Sequence, residues 1–410
     1  MKRKTLWTRN FTIITLGTVV SSIGSAAMDF VLSFIVFDQT GSTFLAGLFA
    51  AISFVPRFIL PVLLSSVLDR FPRMPWIIGL DVLNGIFYGL FGTYCLVRSF
   101  SFGVYAAFSL VSAAIGSVYE IAYESVYPNL VPDGFYEQGY TVSSMIYPTI
   151  TMVMTPAASL LYVRFGVGWI AIVYGLLLLT AAGFETQIRL EEKRSDTVFD
   201  FRAYVADLKN GFQYLWHEKG LLAMYVSIAI SQGTGTGNTN LMIAYFSMTP
   251  GLGMVRYSLF SGIEFAGRTL SGLINYRFPV ARRYRFAMYI FVMMAYAVSD
   301  GVLLFLPFGL MCINRFIVGM LGITSITIRS SSVQTYIPDA MRAKLNAFVA
   351  FVYALSTMLF QVVIGALGEW IPVRLVVCAV SIGLLVVYEL LLMRNRRVIE
   401  PIFLSGSNGK

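Results

Sequence analysis

The sequence predicts an all-α integral membrane protein whose twelve transmembrane helices form two pseudo-symmetric six-helix bundles. Three observations support this: the composition, the spacing of apolar segments and an internal repeat. The chain has 410 residues, of which 57% are hydrophobic and 12% charged, whereas soluble domains are roughly 25% charged. Too few polar side chains remain to cover a water-soluble globule, so a lipid bilayer is the expected solvent.

Apolar segments long enough to cross a bilayer recur along the whole chain. A spanning helix needs roughly 20 mainly apolar residues. Short breaks that contain glycine, proline or arginine separate the segments. The pattern predicts helices at 11–36, 44–68, 76–97, 101–127, 139–163, 167–188, 221–247, 254–276, 285–306, 308–335, 345–367 and 371–393.

The N-terminal segment and the cysteines indicate neither cleavage nor metal chemistry. The first apolar run continues to Phe37, whereas a signal peptide has an apolar region of about 7 to 15 residues, so we expect a retained first helix. Cys95, Cys312 and Cys378 lie in or beside apolar runs, and the single histidine is His217. These residues lack a metal-ligand spacing, so we expect neither a metal nor another cofactor.

The basic residues predict which loops face the cytoplasm. The net charge is +9, and lysines and arginines concentrate at the two termini, in the centre and in alternate loops. Basic loops stay cytoplasmic, so we expect a multi-pass protein of the inner or plasma membrane with both termini inside. This placement explains the charge without a nucleic-acid partner. The remaining loops should be external, and their basic residues are Arg98, Arg164, Arg256 and Arg374.

An internal repeat divides the chain into two halves. Arg70-Phe71-Pro72 follows predicted span 2, and Arg277-Phe278-Pro279 follows span 8, an offset of 207 residues. A Pro-Asp pair after span 4, at 132–133, recurs after span 10, at 338–339, an offset of 206. Matched loops at nearly one offset predict a duplicated six-helix unit.

The repeat sets the expected domain boundaries. We expect an N-terminal bundle at 1–188, a cytoplasmic linker at 189–219 and a C-terminal bundle at 220–410. The linker carries apolar residues at helical spacing, which predicts an amphipathic helix on the inner leaflet. These apolar residues are Phe201, Tyr204, Leu208, Phe212 and Leu215.

The loop between spans 2 and 3 resembles the signature loop of the major facilitator superfamily, Gly-x-x-x-Asp-Arg-x-Gly-Arg-Arg. Asp69, Arg70 and Arg73 match it, while Ser65, Pro72 and Met74 depart from it. Within the superfamily the chain is most similar to the drug-efflux branch that contains the macrolide exporters. The supporting segments are 37–42, 128–132, 207–215 and 337–339 with Arg342.

The resemblance implies an alternating-access transporter in which spans 1, 4, 7 and 10 line a central cavity. It also implies that Asp69, Arg70 and Arg73 form a cytoplasmic gate with Glu124. The antiporter motif of span 5, Gly-Pro-x-x-Gly-Gly, is reduced to residues 155–160, Thr-Pro-Ala-Ala-Ser-Leu. Proton antiport is therefore one hypothesis rather than an implication of the motif.

Charged residues within apolar spans are the main functional signal. A charge at mid-bilayer costs roughly 2.5 to 3.5 kcal/mol on insertion scales, so it is retained where it is paired, hydrated or used. The residues considered are Asp29, Arg57, Glu120, Glu124, Glu264, Arg268, Arg315 and Arg329.

Several of these charges are candidates for a substrate or proton cavity. Glu120 and Glu124 lie four residues apart on one helix face, where repulsion and burial favour the neutral form of at least one. Glu120 is expected either to carry a proton or to pair structurally with Arg329. Asp29 is expected either to bind substrate or protons or to pair with Arg315.

Three further charges are expected to be structural. Glu264 and Arg268 are four residues apart and can neutralise each other. Arg57 is equivalent to Glu264 across the 207-residue repeat offset and has no opposite charge in its own span. It should therefore snorkel to the membrane surface or reach another helix.

Two uncharged patterns leave two interpretations each. Residues 232–240 of span 7 contain Gln232, Asn238 and several glycines and threonines. This run either bends the helix and binds a solute or uses Gly233 and Gly237 for close helix packing. The stripe of Tyr119, Tyr123 and Tyr127 either stacks against a flat ligand or packs within the bundle.

Together these features predict a secondary transporter that exports an amphiphilic small molecule. Import or facilitated movement of a small solute on the same fold is the alternative, and a membrane sensor or an intramembrane enzyme is the alternative of another class. No nucleotide-binding loop or catalytic constellation is visible, so we do not expect an enzyme. The expected partners are the substrate, protons and lipid, and the expected state is a monomer.

Overall fold

A computed structural model describes residues 5–68, 72–132, 135–190, 201–278 and 280–404. Its described elements are helical. They are α1 (Arg9–Thr40), α2 (Thr43–Leu68), α3 (Arg73–Val97), α4 (Phe102–Leu130), α5 (Tyr136–Glu185), α6 (Phe201–His217), α7 (Lys219–Met248), α8 (Gly253–Arg277), α9 (Arg282–Leu303), α10 (Phe308–Tyr336), α11 (Asp339–Trp370), α12 (Val373–Tyr388), a π-helical turn (Glu389–Met393) and α13 (Arg396–Leu404).

Each predicted span coincides with helix in the structure, with one difference at spans 5 and 6. These two spans form the continuous run α5, which is interrupted at Gly166, where φ is 74°. A side chain is disfavoured at this φ, so glycine permits the break. We refer to residues 136–165 as α5N and to residues 167–185 as α5C.

Prolines mark the beginnings of several helices. Pro72, Pro307, Pro338 and Pro372 occupy the position directly before α3, α10, α11 and α12. Each has an extended ψ, between 128° and 154°. Proline lacks an amide hydrogen and has a fixed φ, so it fits a helix start and interrupts the helix before it.

The helices have the length and polarity of membrane spans. Among the described residues, eight helices are long and apolar enough to cross a bilayer. Large apolar side chains are exposed on their outer faces, for example Leu90 at 66% and Phe291 at 61%. Such exposure suits lipid rather than water, and the chain is a multi-pass membrane protein.

The chain forms two compact units. Unit 1 comprises Met1–Gln39 and Ile52–Asp200, and unit 2 comprises Thr40–Ala51 and Phe201–Lys410. The first part of α2 and the linker helix α6 therefore group with the C-terminal helices. Phe212 of α6 packs against Phe348 of α11, with ring centroids 5.7 Å apart.

The grouping of early α2 with unit 2 has a local cause. Glu369, near the end of α11, accepts hydrogen bonds from the Ser42 hydroxyl at 2.6 Å and the Phe44 amide at 2.9 Å. The Thr43 hydroxyl donates to the carbonyl of Gly365 at 2.7 Å. Because the first amides of a helix lack intrahelical partners, the Glu369 carboxylate caps the start of α2 and holds it on α11.

In unit 1, glycines bring α3 and α5C into backbone contact. A Cβ added to Gly175 would lie 2.5 Å from the Gly85 carbonyl oxygen, and one added to Gly92 would lie 2.6 Å from that of Gly168. A larger residue would therefore force the helices apart. We call these two contacts the glycine ladder.

Candidate functional site

Unit 2 contains a cavity of about 350 Å³ between α7, α8, α9 and α10. Its wall combines aromatic rings with hydrogen-bonding and charged groups, the mixture typical of small-molecule sites. The polar and aromatic residues that line it are Gln232, Thr236, Thr239, Tyr257, Phe260, Glu264, Arg268, Tyr296, Arg315 and Arg329.

A buried charge cluster forms one side of this cavity. The Arg315 Nε lies 2.6 Å from the Glu264 Oε2, and an Arg315 terminal nitrogen lies 3.0 Å from the Asp300 Oδ1. Arg268 reaches the other Glu264 oxygen at 2.5 Å. Two guanidinium groups thus neutralise two carboxylates, as buried ions require. We call these four residues the charge cluster.

The two arginines of the charge cluster differ in accessibility. Arg315 is 7% exposed and lies over the Phe260 ring, with Cζ 5.3 Å from the centroid. It is therefore enclosed by carboxylates and an aromatic face. The Arg268 side chain is 41% exposed, so its remaining N–H groups can meet a solute in the cavity.

The structure brings together most of the candidates predicted for the C-terminal half. Gln232, Arg315 and Arg329 line one cavity with Glu264 and Arg268, so the two residues predicted to be structural stand beside the predicted site. The prediction that they pair with each other is confirmed. The sequence did not reveal that Glu264 also binds Arg315, a contact that links α8 to α10.

Asn238 does not line this cavity of unit 2, and its predicted role in a substrate or proton cavity stays a prediction. Its side chain is 1% exposed, and neither its amide oxygen nor its amide nitrogen has a hydrogen-bond partner. The cavity-lining positions of α7 are instead Gln232, Gly235, Thr236 and Thr239. Asn238 lies off this face because positions on the cavity side recur every three to four residues.

The polar run of α7 serves mainly for packing. The hydroxyls of Thr234, Thr236 and Thr239 donate to carbonyls three or four residues earlier in the same helix, so they are satisfied internally. A Cβ on Gly233 would lie 2.8 Å from the Ser356 carbonyl oxygen on α11. Of the two interpretations, close packing therefore describes the glycine face.

The candidates of unit 1 form a separate group around Asp29. Its Oδ2 accepts hydrogen bonds from Tyr147 at 3.0 Å and Ser25 at 3.2 Å. No ion pair within 4 Å joins Asp29 to Arg57 among the described residues, so the two interpretations of Arg57 stay predictions. The alternative pairing of Asp29 with Arg315 is not needed, because Arg315 has two carboxylate partners in its own unit.

Glu120 and Glu124 are exposed on α4, so the burial expected for them is not observed. The proposed gate cannot be assembled from the described residues, since Asp69 and Arg70 lie outside them. Arg73 is the first residue of α3. The roles of these residues stay predictions, as does a pairing of Glu120 with Arg329.

The tyrosine stripe packs within its bundle. Tyr119 and Tyr123 stack with centroids 5.9 Å apart, and Tyr123 and Tyr127 with centroids 5.5 Å apart. Their hydroxyls contact Glu185, Thr18 and the Gly139 carbonyl, respectively. This arrangement favours the packing interpretation over stacking against a ligand.

Three buried acids were not among the residues predicted for the site. Asp300 is 3% exposed, Asp81 is 4% exposed and Glu185 is 1% exposed. Each lies inside a predicted span, so the signal that selected the other charges also applied to them. They lie on α3, α5C and α9, outside the helices that the family resemblance assigns to the central cavity.

Comparison with known proteins identifies the fold. A nucleoside transporter, NupG, matches with a TM-score of 0.70 and 12% identity over 94% of this chain and 99% of its own. A bacterial homologue of the human lysosomal transporter Spinster, in an inward-facing and unoccupied conformation, matches with a TM-score of 0.62 and 13% identity over 96% of this chain and 94% of its own. Its occupied form matches with a TM-score of 0.63.

No protein-family model matches the chain, and no curated protein sequence matches it. The structural matches extend over nearly the full length of both chains, so the whole fold is shared rather than one bundle. The protein is an all-α integral membrane protein with the major facilitator fold, as the sequence predicted. At identities of 12% and 13%, the similarity to these structures is one of fold alone.

Proposed function

We propose that the protein is an alternating-access secondary transporter of a small molecule, and that the cavity of unit 2 forms part of its binding site. The observation that carries this proposal is the cavity of about 350 Å³ with an accessible guanidinium on its wall, in a fold shared with two structures of transporters. Cavities of roughly 300 to 1,000 Å³ hold small organic ligands.

The cavity wall favours an amphiphilic substrate. Tyr257, Phe260 and Tyr296 present aromatic surface for an apolar body, while Gln232 and Arg268 offer donors to an anionic or acceptor-rich group. Arg315 is already held by two carboxylates. Arg268 is therefore the group that recognises the polar end of the substrate.

Export driven by proton antiport is the mode we propose, with both termini in the cytoplasm. Import of a small solute on the same fold is the second candidate, and the nucleoside transporter among the structural matches is compatible with it. Reconstituted vesicles separate the two. Sided uptake and efflux, measured with and without an imposed pH gradient, give the direction and the driving ion.

The binding site is tested with a panel of acidic, neutral and basic fluorescent amphiphiles. Ligands are found by thermal shift on purified protein, since a ligand that binds the folded state stabilises it, and are then used in vesicles. Arg268→Gln should weaken binding of the best ligand at least tenfold. Arg256→Gln is the matched control, because Arg256 lies twelve residues earlier on the same helix and does not line the cavity.

Two outcomes would contradict the proposed site. One is equal loss of binding in Arg256→Gln and Arg268→Gln, which would indicate a general effect of removing a charge from α8. The other is unchanged affinity in Arg268→Gln. If the wild-type protein moves no member of the panel in either direction, transport of an amphiphile is refuted.

The proposed orientation is tested by labelling single cysteines. Cys95, Cys312 and Cys378 are replaced by serine, and one cysteine is introduced at a time. Positions 98, 164 and 256 should react with an impermeant reagent added outside, whereas positions 193, 282 and 342 should react only after permeabilisation. External labelling of 193 or 282 would overturn the assignment of two similar halves.

A further inference from the structure

Two buried carboxyl groups in unit 1 have no counter-charge among the described residues. Asp81 is 4% exposed and Glu185 is 1% exposed. No arginine, lysine or histidine in the described ranges lies within 4 Å of either. The Asp81 Oδ2 and the Glu185 Oε2 also lack a hydrogen-bond partner. We call these two residues the carboxyl pair.

The helix geometry explains why the two groups meet. The glycine ladder holds α3 and α5C antiparallel in backbone contact, and Asp81 and Glu185 both lie beyond its Gly85–Gly175 contact, at the same end. Side chains on a helix lean toward its N-terminus. On antiparallel helices this lean carries Asp81 and Glu185 toward each other. Tyr119 is near both, since its hydroxyl donates to Glu185 and it lines the same cavity as Asp81.

The groups that face the carboxyl pair are phenols rather than cations. The Tyr119 hydroxyl donates to the Glu185 Oε1 at 3.3 Å. From Arg9 to Asp29, α1 carries no charge, and Arg73 lies eight residues before Asp81, about 12 Å along α3. Arg189 follows α5C and is exposed. The other titratable groups that line the cavity beside Asp81 are Tyr123 on α4 and Tyr174 on α5C.

A cavity of about 220 Å³ adjoins Asp81 and the tyrosine, Tyr119, that binds Glu185. Asp81 lines it together with the hydroxyls of Ser21, Ser22 and Tyr119. A small polar cavity can admit water, and water can deliver or remove a proton. The unpartnered Asp81 oxygen therefore has a route to exchange.

We propose that Asp81 and Glu185 form a proton-binding site in which at least one carboxyl is protonated and donates a hydrogen bond toward the other. Two adjacent buried carboxylates without a cation would both be uncompensated, and one proton removes one charge and supplies a donor. If the proposed transport function holds, the carboxyl pair rather than Glu120 exchanges the coupling proton.

Infrared spectroscopy of the purified full-length protein tests the site without any transported solute. At neutral pH the wild type should show a C=O stretching band of a protonated carboxyl group. Asp81→Asn and Glu185→Gln should each remove or strongly reduce this band, whereas Glu120→Gln should leave it intact. Tyr119→Phe keeps both carboxyls and should shift the band, because the hydrogen bond to Glu185 is lost.

Three results would overturn the site: no protonated-carboxyl band in the wild type, an unchanged band in both pair variants, or loss of the band when choline is replaced by sodium at constant pH. The third would indicate a sodium site. Elution of each variant as a monodisperse peak in gel filtration establishes folding, and Tyr119→Phe gives a separate measurement if a pair variant does not fold.

Vesicle transport tests the coupling separately. With the best amphiphile of the panel, Glu185→Gln should retain exchange but lose its acceleration by a pH gradient, while Glu120→Gln should keep both. An unchanged gradient dependence in Glu185→Gln would refute the coupling role. Absence of transport by the wild type would refute the proposed function and leave the infrared result standing.

Discussion

The buried charges of the two units differ in how they are compensated. In unit 2, two arginines and two carboxylates face one another at distances of 2.5 to 3.0 Å. In unit 1, Asp81 and Glu185 are as buried as the two carboxylates of unit 2, and the described hydrogen bond to this pair is the one that the Tyr119 hydroxyl donates to Glu185. Burial alone therefore does not define a role, since the same low exposure accompanies fixed ions in one unit and a titratable pair in the other.

This difference has a thermodynamic consequence. A fully paired cluster resists any change in protonation, because each proton gained or lost leaves an uncompensated charge in a buried site. A carboxyl pair without a cation requires a proton in order to be stable. Mutations that remove charge should therefore destabilise unit 2 and have little effect on the stability of unit 1.

The largest effect is expected from Arg315→Met. The substitution leaves Asp300 without its cation and leaves Glu264 with Arg268 alone. Breaking a buried ion pair in this way costs about 3 to 5 kcal/mol, which should appear as a large fall in thermal stability and in folded yield. Adding Glu264→Gln and Asp300→Asn to Arg315→Met should recover most of the lost stability. An Arg315→Met variant as stable as the wild type would contradict the proposed difference between the two units.

A smaller loss is expected from Gly175→Ala. The new Cβ would lie 2.5 Å from the Gly85 carbonyl oxygen and 3.1 Å from the Gly89 nitrogen, so α3 and α5C must separate. Overpacking of this kind costs about 1 to 3 kcal/mol. Gly183→Ala on the same helix is the control, since a Cβ there meets nothing within 4 Å. Equal melting temperatures for the two variants would contradict the ladder.

Arg268→Gln should reduce stability by less than about 1 kcal/mol, because its pair with Glu264 is 41% exposed on the arginine side and screened by solvent. Glu264 also keeps Arg315 as a partner. Thermal unfolding of Arg268→Gln and Arg315→Met under the same conditions measures the difference in their stability. Similar losses in both variants would show that the cluster does not divide into an enclosed cation and an accessible one.

The smallest effect on stability is expected from Asp81→Asn, within about 0.5 kcal/mol of the wild type, since an amide has nearly the shape of a protonated carboxyl group. Asp300→Asn is the matched comparison in unit 2. It weakens a charged hydrogen bond of Arg315 and should cost about 1 to 3 kcal/mol. Thermal unfolding at neutral pH measures both, and a larger loss for Asp81→Asn would indicate an ionised residue with an essential partner.

The sequence predicted the helices because their signals are local. Apolar runs and the prolines before α3, α10, α11 and α12 fix where helices lie and begin, and Gly166 marks the break within α5. The pairing of Glu264 with Arg268 was equally predictable, since residues four apart share a helix face.

The remaining site geometry depends on how distant helices pack. Arg315 meets Asp300, fifteen residues away across a turn, whereas Asp81 and Glu185 are more than a hundred residues apart and lie on two helices that the glycine ladder brings together. A list of intramembrane charges does not show which of them are compensated. Glu120 is exposed on α4, and its depth along the helix does not determine which side it faces.

The glycine ladder also determines which parts of unit 1 can move past one another. Helices joined through their backbones at Gly85 with Gly175 and at Gly92 with Gly168 have little room to rotate or slide without collision. We expect α3 and α5C to move as one rigid body in which Asp81 and Glu185 keep a constant separation. The surroundings of the carboxyl pair would then change when its neighbours α1 and α4 move. A displacement of either helix would alter the proton affinity of the pair, so that the pair gains or loses its proton.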